Sequence, residues 1–191
     1  MYENAYKKFT KAGYVAIGMD HFCRPDDEFF IALNNNQLHR NFQGYCTTKT
    51  TGQVYGFGAS SISQLFSAYS QNVKNAAQYI KKINEKNTAV LRGYKLDKNE
   101  KIIRDIINSI MCNYYVDFSE ISEKFKTDIV SIKKIINFSE ESLRDFTDLN
   151  IMEIKNDKIT ISHDARLFIR NIAMKFDPQL SKKIGTYSKT I

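Results

Sequence analysis

Three short segments govern what this chain can become: GMDHFCR at Gly18–Arg24, HRNFQGY at His39–Tyr45 and GFGASS at Gly56–Ser61. Each crowds ionisable, aromatic and glycine residues into a few positions, which suits a site better than a packed core. Strand-like runs lie just ahead of or inside them, Tyr14–Met19 before the first and Val54–Phe57 overlapping the third. In an α/β layer the residues following a strand line the ligand end of the sheet. The polar clusters therefore fall where a ligand binds.

At 191 residues and 42% hydrophobic, the chain buries a core as one or two small domains. No apolar run approaches the roughly 20 residues of a membrane span, and no signal-peptide pattern opens the chain, so no membrane partner is expected. Cys23, Cys46 and Cys112 are too far apart for a zinc ribbon or a CxxC pair. Their odd number and irregular spacing suit a reducing cytoplasm, the expected location. A formal net charge of +7 favours an anionic partner: nucleic acid, an acidic membrane or a polycarboxylate ligand.

The spacing of Tyr2, Ala5, Tyr6, Phe9 and Ala12 predicts a helix over Met1–Ala12, stopped by Gly13. A second helix starts in Pro25–Glu28, turns Phe29, Phe30 and Leu33 inward and ends at Asn34–Asn36. Asn75–Lys86 reads as a helix with Ala76, Tyr79, Ile80 and Ile83 inward and a lysine-rich outer face, and Leu91–Leu96 as an extended link to a second module. There, Asp97 and Glu100 form a capping box ahead of the stripe Ile103, Ile106, Ile107 and Ile110. Asp117 with Glu120 opens a further helix burying Phe118, Ile121 and Phe125, and Ser139 a third burying Leu143, Phe146 and Leu149. Ile151–Lys155 and Lys158–Ser162 make a hairpin around Asn156-Asp157, with Met152, Ile154, Ile159 and Ile161 on its buried face. A last helix near Asp164–Phe176 presents Leu167, Phe168, Ile172 and Phe176 before Pro178.

Three helices and a hairpin is the winged-helix order. The helix before the hairpin, however, carries Glu140, Glu141, Asp145 and Asp148 against Arg144 alone. Such an element is repelled by phosphates, so nucleic acid is not expected as a partner.

Asp20, His21 and Arg24 place an acid, an imidazole and a guanidinium after the first strand, suited to proton handling and to a bidentate grip on a carboxylate. The same residues also suit a turn cap before Pro25 and a surface ion pair. HRNFQGY offers rings, a guanidinium and an amide for a planar or nucleoside-like ligand, or alternatively a β-turn with Phe42 and Tyr45 buried. The glycines of GFGASS let a ligand approach the backbone, although a lone GxG is commonly a tight turn.

GYVAIGMDHFCRPDDEF, LHRNFQGY, YSQN and RNIAMKFD resemble the C-terminal portion of oxygen-independent coproporphyrinogen III oxidase, a radical S-adenosylmethionine enzyme of haem biosynthesis. The resemblance spans Met1 to Ile191. It implies an α/β plus α+β fold: residues 1–90 as the last part of a partial (β/α) barrel, and residues 91–191 as a mainly helical C-terminal domain with the winged-helix-like hairpin. It implies oxidative decarboxylation of two propionates of coproporphyrinogen III, giving protoporphyrinogen IX. By resemblance Phe42, Gln43 and Ile62 bind S-adenosylmethionine. Arg24, His39 and Arg40 are candidate holders of substrate propionates, and Asp20 and His21 candidate catalytic groups.

The [4Fe-4S] cluster of the full enzyme needs a C-x3-C-x2-C trio that Cys23, Cys46 and Cys112 do not form, so this chain is expected to ligate no metal and to be inactive alone. A separate cluster-bearing N-terminal half is the partner this implies, with the chain a monomer as in the intact enzyme. Ser61 and Cys23 stand where the family usually has alanine, and the Thr47–Gln53 loop reads one residue longer. A porphyrin-binding module and an inactive gene remnant are the competing readings.

Overall fold

A computed structural model describes residues 1–49 and 52–180. The elements in order are α1 (Tyr2–Lys11), β1 (Val15–Gly18), β2 (His21–Cys23), α2 (Glu28–Asn34), β3 (Leu38–Asn41), β4 (Gly44–Thr47), β5 (Ile62–Gln64), β6 (Ala68–Asn72), α3 (Ala76–Lys86), β7 (Val90–Lys95), α4 (Lys98–Asn113), β8 (Tyr115–Asp117), α5 (Phe118–Phe125), α6 (Ile129–Ile135), α7 (Glu140–Asp148), β9 (Met152–Lys155), β10 (Lys158–Ile161) and α8 (Ile169–Met174). The chain divides into two compact units, one of Met1–Ile17 with Phe22–Lys101, the other of Gly18–His21 with the chain from Ile102 onward. The strands form four small sheets, ordered β1-β2, β3-β4, β5-β6-β7 and β8-β10-β9. Among the described residues no helix is long and apolar enough to cross a membrane.

In the first unit the aromatic stripe of α1 has a definite partner. Phe22 of β2 stacks on Phe9 at 5.0 Å between ring centroids and meets Tyr6 at 5.9 Å, while Tyr14 packs edge-on against Phe9 at 5.7 Å. Such pairs add about 0.5–1.5 kcal/mol beyond the area they bury. Helix α2 starts within the expected Pro25–Glu28, capped by Asp27, whose carboxylate accepts from the Phe29 N–H at 2.9 Å. Helix α2 buries Ala32 and Leu33 and leaves Phe29 and Phe30 half-buried.

Four expectations change here. Val54–Phe57 is not a strand, since only Val54 bridges, to Gln64; two glycines within five residues interrupt any ladder. HRNFQGY does form a turn, as the tip of the antiparallel hairpin β3–β4 in register from Leu38 opposite Thr47 to Asn41 opposite Gly44, but Phe42 there is exposed and not buried. Helix α3 buries no side chain: Ala76 and Ile80 are exposed and only Tyr79 and Ile83 turn partly inward. The extended stretch at Leu91–Leu96 is β7, a sheet strand laid antiparallel along β6. The longer loop expected over Thr47–Gln53 lies partly outside the described residues.

The second unit is built on isoleucines. The Asp97–Glu100 capping box, in the last residues of the first unit, forms as expected, with Glu100 N–H to Asp97 Oδ1 at 2.8 Å and Asp97 N–H to Glu100 Oε2 at 2.9 Å. The buried row on α4 is Ile102, Ile106 and Ile110, with Ile103 and Ile107 at its flank, because the core lies one position round the helix from the expected stripe. Each such side chain contributes about 1.5–3 kcal/mol when fully buried.

Two elements of this unit are absent from the sequence expectation. Strand β8 adds to the hairpin by pairing with β10, Val116 opposite Ile159. Helix α6 is capped by Asp128, which accepts from the Ser131 N–H at 2.8 Å, and buries Ile132. The turn residues Asn156 and Asp157 both have positive φ, 51° and 61°, as a tight two-residue hairpin requires. Leu149 on α7 is exposed. The last helix is broken: a 3-10 turn over His163–Leu167 precedes α8, and Leu167 and Phe168 face solvent while Ile169, Ile172 and Phe176 are buried.

Candidate functional site

Asp20 and His21 lie at and just after the β1–β2 turn, where Met19 takes a φ of 43°. His21 Nδ1 is 2.9 Å from Asp20 Oδ1. Arg24 is engaged by Asp26, Nε to Oδ1 at 3.3 Å, with both side chains more than 70% exposed. A pair that open contributes little stability. Cys23, the last residue of β2, is buried, and burial pushes its thiol pKa up, which makes it a packing group and not a nucleophile.

The β3–β4 hairpin sets out the next candidates. Its turn is held by Asn41, whose Oδ1 accepts from the Gln43 N–H at 2.8 Å and the Gly44 N–H at 3.2 Å. This leaves Phe42 and Gln43 at the tip, both exposed. On the strand, Arg40 lies with its guanidinium 5.2 Å from the Tyr45 ring centroid. His39 packs its ring against Gly52, where an added Cβ would come within 2.6 Å of the imidazole.

The third group assembles on the β5-β6-β7 sheet. Ile62 is opposite Gln71, which is opposite Arg92; one step along, Gln64 is opposite Tyr69, which is opposite Tyr94. Directly paired residues, and those two apart on a strand, share a face. Ile62, Gln64, Tyr69, Gln71, Arg92 and Tyr94 therefore line one side of the sheet. Gln64 also reaches the hairpin tip, its Oε1 accepting from the Phe42 N–H at 3.2 Å. The fold thus fastens the Phe42 backbone to Gln64, two residues along β5 from Ile62. Ile62 remains 39% exposed and Phe42 49% exposed, so both offer apolar surface to a ligand. Tyr94 hydrogen-bonds the Glu100 carboxylate, which raises its phenol pKa.

The GFGASS loop is fastened by residues that sequence reasoning assigned no role. The two N–H groups of the Asn72 amide are shared among Gly56 O at 3.3 Å, Gly58 O at 3.1 Å and Ser61 Oγ at 3.0 Å from Nδ2. Gln71 Nε2 donates to Ser60 O at 3.2 Å, and the Gly58 N–H to the Tyr79 hydroxyl at 3.1 Å. Consecutive strand residues ordinarily point to opposite faces; the register shift between Gln71 and Asn72 relaxes that alternation and lets both reach one loop. The only sequence signal was their place in YSQN. The glycine argument also changes. A Cβ on Gly56 would lie 2.7 Å from Ile62 O, so the space is taken by the chain itself and not kept for a ligand.

The donor set decides which groups this chain can hold. Phe42 and Ile62 expose apolar surface and Gln43, next to Phe42 in sequence, an amide, residue types of the kind an adenosyl compound takes. A cluster does not fit: Cys23 and Cys112 are buried thiols, and among the described residues no three His, Cys, Asp or Glu side chains gather as a metal site.

No family model matches the chain. Curated proteins do. It is 37% identical over 180 residues to the oxygen-independent coproporphyrinogen III oxidase of Salmonella typhimurium, covering 91% of this chain and 37% of the relative. With the same-named protein of Helicobacter pylori it shares 34% identity over 190 residues, covering 99% of this chain and 40% of the relative. With that of Thermostichus vulcanus it shares 35% over 193 residues, covering 99% of this chain and 58% of the relative. Among solved structures, coproporphyrinogen III oxidase from Escherichia coli, a radical SAM enzyme, superposes with a TM-score of 0.82 at 35% identity, over 93% of this chain and 40% of that one. The chain thus spans about two fifths of the length of most of these relatives, and over nearly all of its own length it is homologous to proteins named oxygen-independent coproporphyrinogen III oxidase.

Proposed function

We propose that this chain supplies one wall of the S-adenosylmethionine and substrate pocket of a coproporphyrinogen III oxidase. The established homology to that family supports the reaction. The observation that carries the local reading is the hydrogen bond from the Phe42 backbone N–H to Gln64, which ties the exposed hairpin tip to a residue on the same sheet face as the exposed Ile62.

In this reading residues 1–90 continue a partial barrel and residues 91–191 form the domain that follows it. Phe42 and Ile62 hold the adenosyl moiety by apolar contact, and Gln43 hydrogen-bonds it. His39, Arg40 and Arg24 take propionates by charge-assisted hydrogen bonds, and the His21–Asp20 pair handles a proton. When bound, S-adenosylmethionine would supply the radical that removes a hydrogen atom from a propionate side chain; forming the vinyl group with loss of carbon dioxide also releases one electron, which would pass to a one-electron acceptor outside these residues. The ligands of the [4Fe-4S] cluster lie outside these residues, on a cluster-bearing half with which the chain acts.

The test is turnover. The purified 191-residue chain, given S-adenosylmethionine, a strong reductant and coproporphyrinogen III, forms no protoporphyrinogen IX, yet binds S-adenosylmethionine in a titration. Turnover by the chain alone would overturn the division of labour. Binding of coproporphyrin III with no affinity for S-adenosylmethionine would favour a porphyrin-binding module instead.

A further inference from the structure

One charged group on the β5-β6-β7 face has no part in the roles above. Arg92 is exposed and its guanidinium is held from one side, Nε to Gln71 Oε1 at 3.0 Å and Nη2 to the same oxygen at 2.6 Å. Gln71 is itself held by its bond to Ser60 O. The brace thus runs from the GFGASS loop to the guanidinium. None of the ion pairs among the described residues includes Arg92. Its cross-strand row is Ile62, Gln71, Arg92, which puts the cation two strands, or roughly 10 Å, from Ile62 on the same face. The surrounding sequence deepens the positive field: residues 74–101 carry eight Lys or Arg against three Asp or Glu.

We propose that Arg92 is a carboxylate-anchoring residue of this face, gripping a carboxylate of the small molecule that rests on Phe42 and Ile62. The chemistry follows from the fork. A guanidinium whose Nε edge is fixed by a neutral amide is oriented without being neutralised, and its remaining N–H groups are set for a second, charged acceptor. A bare surface arginine would lose more side-chain freedom on binding, whereas the Gln71 brace has already removed much of it. This assignment rests on the pocket reading given above. Two compounds of that reading carry carboxylates, the methionyl end of S-adenosylmethionine and the propionates of the tetrapyrrole.

The experiment titrates the full chain with S-adenosylmethionine, its decarboxylated analogue and coproporphyrin III, comparing wild type with Arg92→Gln and Arg92→Lys. For the carboxylate-bearing probe that Arg92 serves, Arg92→Gln raises Kd roughly tenfold. Arg92→Lys restores part of the loss, because it keeps the charge without the fork. Affinity for decarboxylated S-adenosylmethionine is the same in all three chains. A loss confined to S-adenosylmethionine identifies the methionyl carboxylate as the ligand, and one confined to coproporphyrin III identifies a propionate. If Arg92→Gln unfolds, Gln71→Ala retains the guanidinium without its brace and lowers affinity for the same probe by a smaller factor. Equal binding of the carboxylate probes by wild type and variants overturns the role of Arg92 and leaves the pocket standing. An equal loss for the decarboxylated analogue also overturns it. Failure of wild type to bind either carboxylate probe removes the pocket reading, and this proposal with it.

Discussion

Asp117 shows how much one residue can carry. It is 6% exposed, ends β8 and caps α5. Its Oδ1 accepts from the Ser119 N–H at 2.8 Å, and its Oδ2 takes Lys158 Nζ at 2.6 Å and the Tyr115 hydroxyl at 3.1 Å. Burial alone would raise its pKa; the hydrogen bonds from Lys158, Ser119 and Tyr115 outweigh that and bring it down to about 2. The unfolded value is near 4, so the carboxylate stabilises the fold fully above that pH and loses its contribution as pH falls from about 4 towards 2. Asp117→Ala should cost about 2–3 kcal/mol at neutral pH, from the lost cap and charge-assisted bonds. In urea melts at pH 7 and pH 2.5 the gap between variant and wild type should narrow at the lower pH. A gap independent of pH would contradict this account.

At the scale of elements, the GFGASS loop is a device for presenting Ile62. Gly56 has no room for a Cβ beneath the Ile62 backbone, and Asn72 fastens the loop through the two N–H groups of its amide, which three loop acceptors share. Asn72→Ala should destabilise the first unit by about 1–3 kcal/mol and loosen the loop before anything else. Amide hydrogen exchange reads this directly: the Gly58 and Ser60 N–H groups, bonded to Tyr79 and to Val73 O, should exchange faster in the variant. Unchanged exchange would mean the loop is held by its backbone alone. The strong local signals, the Asp97 cap and the Asn156-Asp157 turn, were legible in the sequence because each is decided within a few residues. Strand β8 was not. Three residues carry no period of their own, and their strand character comes from β10 alongside.

For the whole molecule, charge is distributed in a way that bears on ligand capture. Of the formal net charge of +7, the first 101 residues hold 14 Lys or Arg against 8 Asp or Glu, so nearly all of the excess lies there. The same stretch exposes large apolar side chains, with Phe57 at 88%, Phe66 at 63% and Tyr55 at 62%. A surface both cationic and apolar suits an amphipathic polycarboxylate. Coproporphyrin III should bind the chain several-fold more weakly in 0.5 M than in 0.05 M salt, because exposed charges are screened over a Debye length of a few ångströms. Salt-independent affinity would show that apolar contact alone holds the porphyrin.

The sequence by itself determined the helices with capping signals, the second hairpin, the lack of a cluster-binding cysteine trio and, through its motifs, the family. These depend on residues close together or on covalent chemistry, which the chain carries in any conformation. Only the tertiary structure decided that Phe42 and Ile62 share a neighbour, that Asn72 and Gln71 govern the glycine loop, and that Arg92 stands on the same face. The physical reason is register: which side chains meet across strands is set by hydrogen-bond pairing between segments distant in sequence, and a shift of one residue would send each of them to the other face.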